Sequence, residues 1–327
     1  MKVKKIIRTA CVAITAIVTL ALTGCKKEVW LTDFDAAKKQ AQKQDKNIFL
    51  VFSGDDWDQT SEAFKKSVTE TTEFAEKMSK DYVFVNIDFS QTEYAKTDID
   101  ESASKKQKKE AEKIVAMYEK KENLAKVYAI QQYPSLYITT YEGYVLANVS
   151  SLSSASGVEE FFEGLEEYKE SISEASYAIH LVRSSTGSER ASAISELYNS
   201  TPSEFLGPLV DLVREVPSLD PQNETGVVGD MLLFAAYFDS AELVRDDVNA
   251  ASKCFEDITA SEFLTDDQKQ NAYYMAAYVL TFTEEPDYEK IEEFLQKAYD
   301  IDPEGEHAED LMNALEATRS MASQMAE

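Results

Sequence analysis

Two rhythms of apolar and polar residues run along this chain, and the change from one to the other divides it. Between residues 33 and 168 short continuous apolar runs alternate with helical patterns. Asp33 to Gln44 predicts a helix, because Phe34, Ala37 and Ala41 recur at three- and four-residue spacing among lysines and glutamines. Ile48 to Phe52 is an unbroken apolar run, the pattern of a strand buried on both faces. A loop at Ser53–Trp57 follows, then a helix carrying Phe64, Val68, Phe74 and Met78. Tyr82 to Phe89 predicts a second buried strand. A charged segment separates it from a helix over Leu124–Ile130. Pro134 opens a strand at Ser135–Thr139, and Glu142-Gly143 turns the chain into Tyr144–Val149, which predicts a hairpin. An amphipathic helix with Val158, Phe161, Phe162 and Leu165 closes the series. The order α-β-α-β-α-β-β-α describes an α/β domain whose helices cover both faces of a mixed sheet.

From residue 170 onward strand-like alternation is absent and the expectation is an all-α domain over 170–327. Thr201-Pro202-Ser203-Glu204 and Thr265-Asp266-Asp267-Gln268 have the form of capping boxes, each predicting a helix start. Pro286-Asp287 opens a helix with Tyr288, Ile291, Phe294, Leu295 and Ala298. The run Lys297-Ala298-Tyr299-Asp300-Ile301-Asp302-Pro303 resembles the end of a tetratricopeptide repeat, and the pairs around Ser192–Val213 and Ala241–Phe255 read as degenerate neighbours. The domain is therefore expected to be TPR-like, with an irregular helical bundle as the alternative. Tyr273, Tyr274, Tyr278 and Phe282 are expected mainly in the core between helices, and His180, beside Ile179, Leu181 and Val182, in a structural role.

Composition narrows the function classes. The 327 residues include 60 acidic and 33 basic side chains, a net charge of -27, with 44% apolar residues. A chain so acidic is repelled by phosphate backbones, which argues against nucleic acid as a partner. Two histidines and three cysteines offer no multi-histidine metal site and no disulfide framework.

The first residues read as an address. Lys2, Lys4, Lys5 and Arg8 precede an apolar run from Ala10 to Leu22, shorter than a membrane span. It ends in Leu22-Thr23-Gly24-Cys25, which resembles a bacterial lipoprotein cleavage box. The resemblance implies a signal peptide over 1–24, a lipid on Cys25, membrane attachment through that lipid, and residence in the bacterial cell envelope, on the periplasmic or outer-membrane face. Cys11 would leave with the signal, so Cys254 alone would remain a thiol.

Over residues 26–169 the landmarks resemble the thioredoxin superfamily, in its secreted thioredoxin-like branch. Phe52-Ser53-Gly54-Asp55-Asp56-Trp57 is similar to the family's loop as far as the tryptophan, and Tyr133-Pro134-Ser135-Leu136 to its cis-proline loop. Asn86-Ile87-Asp88 matches the strand before an insertion at about 90–123, and Tyr141-Glu142-Gly143 the last hairpin turn. The family's two cysteines fall on Asp58 and Ser61. Thiol–disulfide exchange needs a thiolate and a second sulfur, so oxidoreductase activity is not expected. Asp58 suits a helix N-cap instead. The resemblance implies a groove beside Trp57, Tyr133 and Pro134, where Ser135 would give an extended peptide a backbone partner.

The same loop has the residues for other chemistry. Asp55, Asp56 and Asp58 with Glu62 form an acidic cluster that could hold a hard cation or supply a base, without the spacing of an EF-hand. Cys254, among Ala250, Ala251 and Phe255, is expected to be buried and inert, with a thiol-redox role as the alternative. The basic run Lys105–Lys109 is expected on a surface helix whose glutamates balance it. Together these point to a cell-envelope protein that binds a protein or peptide partner, as scaffold or chaperone, and needs no cofactor.

Overall fold

The computed structural model describes residues 30–100 and 102–325. The signal peptide and the lipidation site at Cys25 lie outside the described residues. The elements are α1 (Phe34–Gln44), β1 (Asn47–Ser53), α2 (Gln59–Phe64), α3 (Thr72–Met78), β2 (Tyr82–Asp88), α4 (Gln91–Tyr94), α5 (Lys105–Val127), β3 (Ser135–Thr139), β4 (Val145–Asn148) and α6 (Val158–Glu166). Eight helices follow: α7 (Lys169–Ser184), α8 (Gly187–Ser200), α9 (Val210–Leu219), α10 (Val228–Leu243), α11 (Val248–Ile258), α12 (Asp266–Val279), α13 (Tyr288–Ile301) and α14 (Ala308–Met325).

The strands form one sheet in the order β2-β1-β3-β4. β1 runs parallel to β2 and antiparallel to β3, and β3–β4 is the antiparallel hairpin. Strand periodicity sends alternate residues of β1 into different cores. Ile48, Leu50 and Phe52 join Phe34, Ala37, Ala41 and Tyr128 on one face. Phe49 and Val51 join Phe64, Phe74, Phe84 and Phe161 on the other. That second core continues through Ile179, Val182, Ile194 and Val213 to Met231, so helices α7 to α10 build onto the sheet's own apolar face. A separate core lies among α10 to α14, around Phe255, Ile291, Phe294 and Leu315. Arg183 of α7 pins the hairpin turn with two bonds to the Glu142 carboxylate and stacks on Tyr141.

In that turn Gly143 has φ +105°, and a methyl there would meet Tyr128 Oη at 3.0 Å. The buried Tyr128 hydroxyl donates to the Gly143 carbonyl, so the glycine serves both the left-handed backbone and the close approach.

Several elements differ from the sequence reading. The single helix expected through Phe64 and Met78 is divided by a π-helical stretch at Lys65–Thr69, after which Thr71 caps α3 by accepting from Phe74 N. The break lets Phe64 and Phe74 both reach Phe161, at 5.8 and 5.7 Å between ring centroids. The insertion from Lys105 onward and the helix expected at Leu124–Ile130 merge into one 23-residue helix, α5, which ends at Val127; it is opened by a Ser104–Gln107 capping box and followed by Ala129 at φ +49°. It docks through Ala111, Ile114 and Tyr118, a stripe hidden among lysines and glutamates. The box at Thr201 starts no regular helix: Ser203–Phe205 is a 3-10 turn without a side-chain cap, and α9 begins at Val210. Tertiary packing uses the intervening residues instead. Phe205 meets Tyr137, and Gly207 lies so close to α5 that a methyl there would be 2.5 Å from the Val127 carbonyl oxygen.

The Thr265–Gln268 capping box is formed in full, and Asp287 caps α13. Tyr274, Tyr278 and Phe282, expected in the core, are exposed, because the buried face of α12 is the one with Ala272, Ala276, Ala277 and Val279. His180 is likewise on the surface of α7. Among the described residues no helix is long and apolar enough to cross a membrane.

Candidate functional site: the loop after β1

The parallel β1–β2 pair brings the C-terminal ends of both strands, Ser53 and Asp88, side by side, and the candidate residues gather there. Beyond Ser53, Gly54 carries the Trp57 indole directly against its Cα: a methyl on Gly54 would lie 2.5 Å from Trp57 Cζ2 and 2.7 Å from Nε1. Trp57 Nε1 donates to the Phe89 carbonyl at 2.7 Å, which ties the loop after β1 to the loop after β2. The indole remains 41% exposed.

Asp58 and Ser61 hold the loop and the helix together. Asp58 Oδ2 accepts from Ser61 N at 2.7 Å, the N-cap bond of α2. The Ser61 hydroxyl, buried beneath, accepts from Gly54 N at 3.2 Å. No cysteine occurs between residues 26 and 253.

The three aspartates diverge. Asp55 Oδ2 accepts from Lys65 Nζ at 2.7 Å and from Asn86 Nδ2 at 3.3 Å. Its bond raises the Lys65 pKa. Asp56 points across to α4, accepting from Ser90 Oγ, Gln91 N and Thr92 N at 2.8 to 3.0 Å. Hydrogen bonds from Thr92 and its neighbours hold that carboxyl far below the ordinary carboxylate range. Asp58 caps α2. Each carboxylate therefore has its own structural partner, and among the described residues no group of three or more His, Cys, Asp or Glu side chains converges as a metal site would require.

Below the loop, Asp88 Oδ1 accepts from Asp55 N at 2.9 Å, and burial pushes the Asp88 carboxyl upward. Lys121 of α5 donates to the Asp88 carbonyl and lies over the Tyr118 ring at 4.4 Å, its pKa lowered by burial. Loss of water disfavours both charged forms, which moves an acid up and a base down.

The peptide-groove residues separate into two groups. The Tyr133–Pro134 bond is cis, and Tyr133 meets Trp57 edge-on at 5.4 Å between centroids. Ser135 is not available to a ligand: it is 3% exposed, paired with Phe52 in the sheet, and its hydroxyl donates to the Gln132 carbonyl at 2.7 Å. Pro134 is buried as well, and the chain reaches the surface two and three residues before Ser135, at Tyr133 and Gln132.

Sequence reasoning missed the rest of the aromatic surface. Tyr133 contacts Phe89 at 5.4 Å, Phe89 contacts Tyr118 at 6.3 Å, and Tyr118 contacts Tyr94 at 4.9 Å. A continuous string of rings thus runs from Trp57 to Tyr94, which is 49% exposed. Tyr94 and Tyr118 stand in the charged insertion, and two tyrosines amid that charge were the available signal.

Residues 29–117 match the family described as "Thioredoxin-like", and residues 227–324 match the one described as "Uncharacterised protein C-terminal domain". An uncharacterized protein of Treponema pallidum (strain Nichols) is 29% identical over 93 residues, which are 28% of this chain. That stretch is 31% of the relative's length, so the chain spans about a third of it. A solved structure named "DsbH Oxidoreductase" is 18% identical, covering 46% of this chain and 91% of its own, with a TM-score of 0.33. The chain carries a thioredoxin-like α/β domain near its N-terminus, followed by a helix-rich C-terminal region.

The other candidate, Cys254, is half-buried on α11 rather than enclosed. Its Sγ donates to the Ala250 carbonyl at 3.4 Å, and burial pushes the thiol up, away from the reactive thiolate.

Proposed function

We propose that this protein is a lipid-anchored component of the bacterial cell envelope whose thioredoxin-like domain binds a protein or peptide partner without thiol chemistry. The observation that carries the reading is the pair Asp58 and Ser61. They stand where the resembling family has its cysteines, and their polar atoms close the loop–helix junction. The exposed Trp57 and the half-buried Tyr133 keep the aromatic part of that surface, with Pro134 buried behind Tyr133. Aromatic side chains offer large contact area at little conformational cost, which suits recognition. The sequence Leu22-Thr23-Gly24-Cys25 supports the anchor.

The metal and general-base readings of Asp55, Asp56 and Asp58 lose support because each carboxylate is already bonded to a different part of the chain. A redox role for Cys254 has against it a thiol whose pKa is raised.

The test is affinity capture from detergent-solubilised envelope with the full-length protein, beside a Trp57→Ala/Pro134→Ala variant, with and without reductant. A partner that reductant does not release, and that the variant loses, is the expected result. Release by reductant alone would overturn the non-thiol reading. Retention by the variant would remove the binding site from this loop. Metabolic labelling with a fatty-acid analogue, abolished by Cys25→Ala, is the expected outcome for the anchor.

A further inference from the structure

Three exposed aromatic side chains lie together on the outer face of α12, an element apart from the Trp57 loop. Tyr274, Tyr278 and Phe282 are 42%, 46% and 55% exposed. They follow one another at four-residue spacing, the last in the turn beyond the helix. Tyr274 and Tyr278 are nearly parallel, with 7° between planes and 6.4 Å between centroids, and Phe282 meets Tyr278 edge-on at 5.0 Å. The three rings form a ladder facing solvent, while the opposite face of the helix is packed.

The surroundings say what would cover it. Residues 170–327 hold 33 acidic against nine basic side chains, so this region carries -24 of the chain's net charge. Asp266 and Asp267 precede the ladder, and Glu284, Glu285 and Asp287 follow it, with Lys269 the one basic residue over 266–287. Glu284 and Glu285, beyond Phe282 and Thr283, stand exposed. Negative ring faces within an acidic field favour a cation, both through the ring quadrupole and through the net potential. The chain itself uses this chemistry one residue away. Lys297 lies over the Tyr273 ring at 5.7 Å, on the side where α13 packs. Among the described residues no cation of the chain lies over Tyr274, Tyr278 or Phe282.

We propose that the Tyr274–Tyr278–Phe282 ladder is a docking surface for a lysine- or arginine-bearing segment of a partner protein. The rings supply contact area and cation–π attraction, and the flanking carboxylates supply steering and selection against acidic segments. Steps of 6.4 and 5.0 Å between successive rings are close to the rise of one helical turn and suit a partner helix with basic side chains at four-residue intervals. This surface is separate from the Trp57 loop, and the inference does not depend on that loop binding anything.

The test is fluorescence anisotropy on the full-length protein in nonionic detergent. The probe is a labelled alanine-based helical peptide with lysine at every fourth position, and its control carries glutamate there. The lysine peptide should bind at low salt and the glutamate peptide should not. Tyr274→Ala/Tyr278→Ala/Phe282→Ala should weaken binding roughly tenfold to a hundredfold, the combined effect expected of three such contacts. Tyr274→Phe/Tyr278→Phe keeps the rings and should bind within about threefold of the wild type. Glu284→Gln/Glu285→Gln leaves the ladder intact and should weaken binding several-fold, a readout that survives any misfolding of the alanine variant. Equal binding by the alanine variant, or none by the wild type, would overturn the proposal. Self-association in sedimentation that the alanine variant abolishes would assign the ladder to a second copy and overturn it as well.

Discussion

Gly54→Ala tests how the exposed tryptophan is held. The new methyl would occupy the space of the indole, 2.5 Å from Trp57 Cζ2, so Trp57 must swing out. It would lose its bond to the Phe89 carbonyl and its edge contact with Tyr133. The first is worth about 1 kcal/mol and the second about 0.5–1.5 kcal/mol. The backbone at Gly54 has no positive φ, so alanine itself is tolerated and should return about 0.4–1 kcal/mol by restricting the unfolded chain. Gly54→Ala should therefore destabilise the wild type by about 1–2 kcal/mol. In a Trp57→Ala background the clash is gone, and the same change should be neutral or mildly stabilising. The coupling energy of the double-mutant cycle should thus be about 2 kcal/mol, measured by urea unfolding with circular dichroism as the probe. A red-shifted Trp57 emission in Gly54→Ala should accompany it. Equal costs of Gly54→Ala in both backgrounds, or an unshifted emission, would refute the packing argument.

Asp58→Ala should cost about 1 kcal/mol through loss of the α2 N-cap, with Asp58→Asn much milder, as read by the same unfolding assay. The Asp56 carboxyl is depressed by its bonds from Thr92, Ser90 and Gln91. The unfolded chain then takes up the proton first, so Asp56 contributes stability above the ordinary carboxylate pKa that fades as pH falls toward the depressed value. An Asp56→Asn variant should therefore show a flatter acid limb in thermal melts between about pH 5 and pH 2. An unchanged limb would contradict the bonding at α4. Tyr128→Phe removes a buried donor from the Gly143 carbonyl and should cost about 1–3 kcal/mol, with the hairpin amides exchanging faster in hydrogen-exchange experiments.

What local sequence determined here is what short-range chemistry can carry. The N-caps at Asp33, Asp58, Thr265 and Asp287 each bond the backbone N–H three residues on, so a few side chains specify them wherever they sit. The strands β1 and β2 announce themselves by the apolar runs Ile48–Phe52 and Tyr82–Val85, because a stretch covered on both faces has no polar side to show. Their order sufficed for the thioredoxin-like topology. The cis-proline loop and the roles of positions 58 and 61 were implied by the resemblance of Tyr133-Pro134-Ser135-Leu136 and of Phe52–Trp57 to the thioredoxin superfamily.

Tertiary structure alone decided everything that depends on residues some thirty positions apart. Asp56 could be read as a cation ligand until α4 was seen to occupy it, 34 to 36 residues on. Ser135 looked available until the sheet paired it with Phe52 and enclosed it. The capping pattern at Thr201 yielded to the packing of Phe205 and Gly207 against Tyr137 and α5. On α12, alanines and aromatics both recur at helical spacing, and periodicity cannot say which stripe faces inward. The close approach of α11 and α13 settled it: small Ala272, Ala276 and Ala277 let the neighbouring helices come near, which left the bulkier tyrosines to solvent.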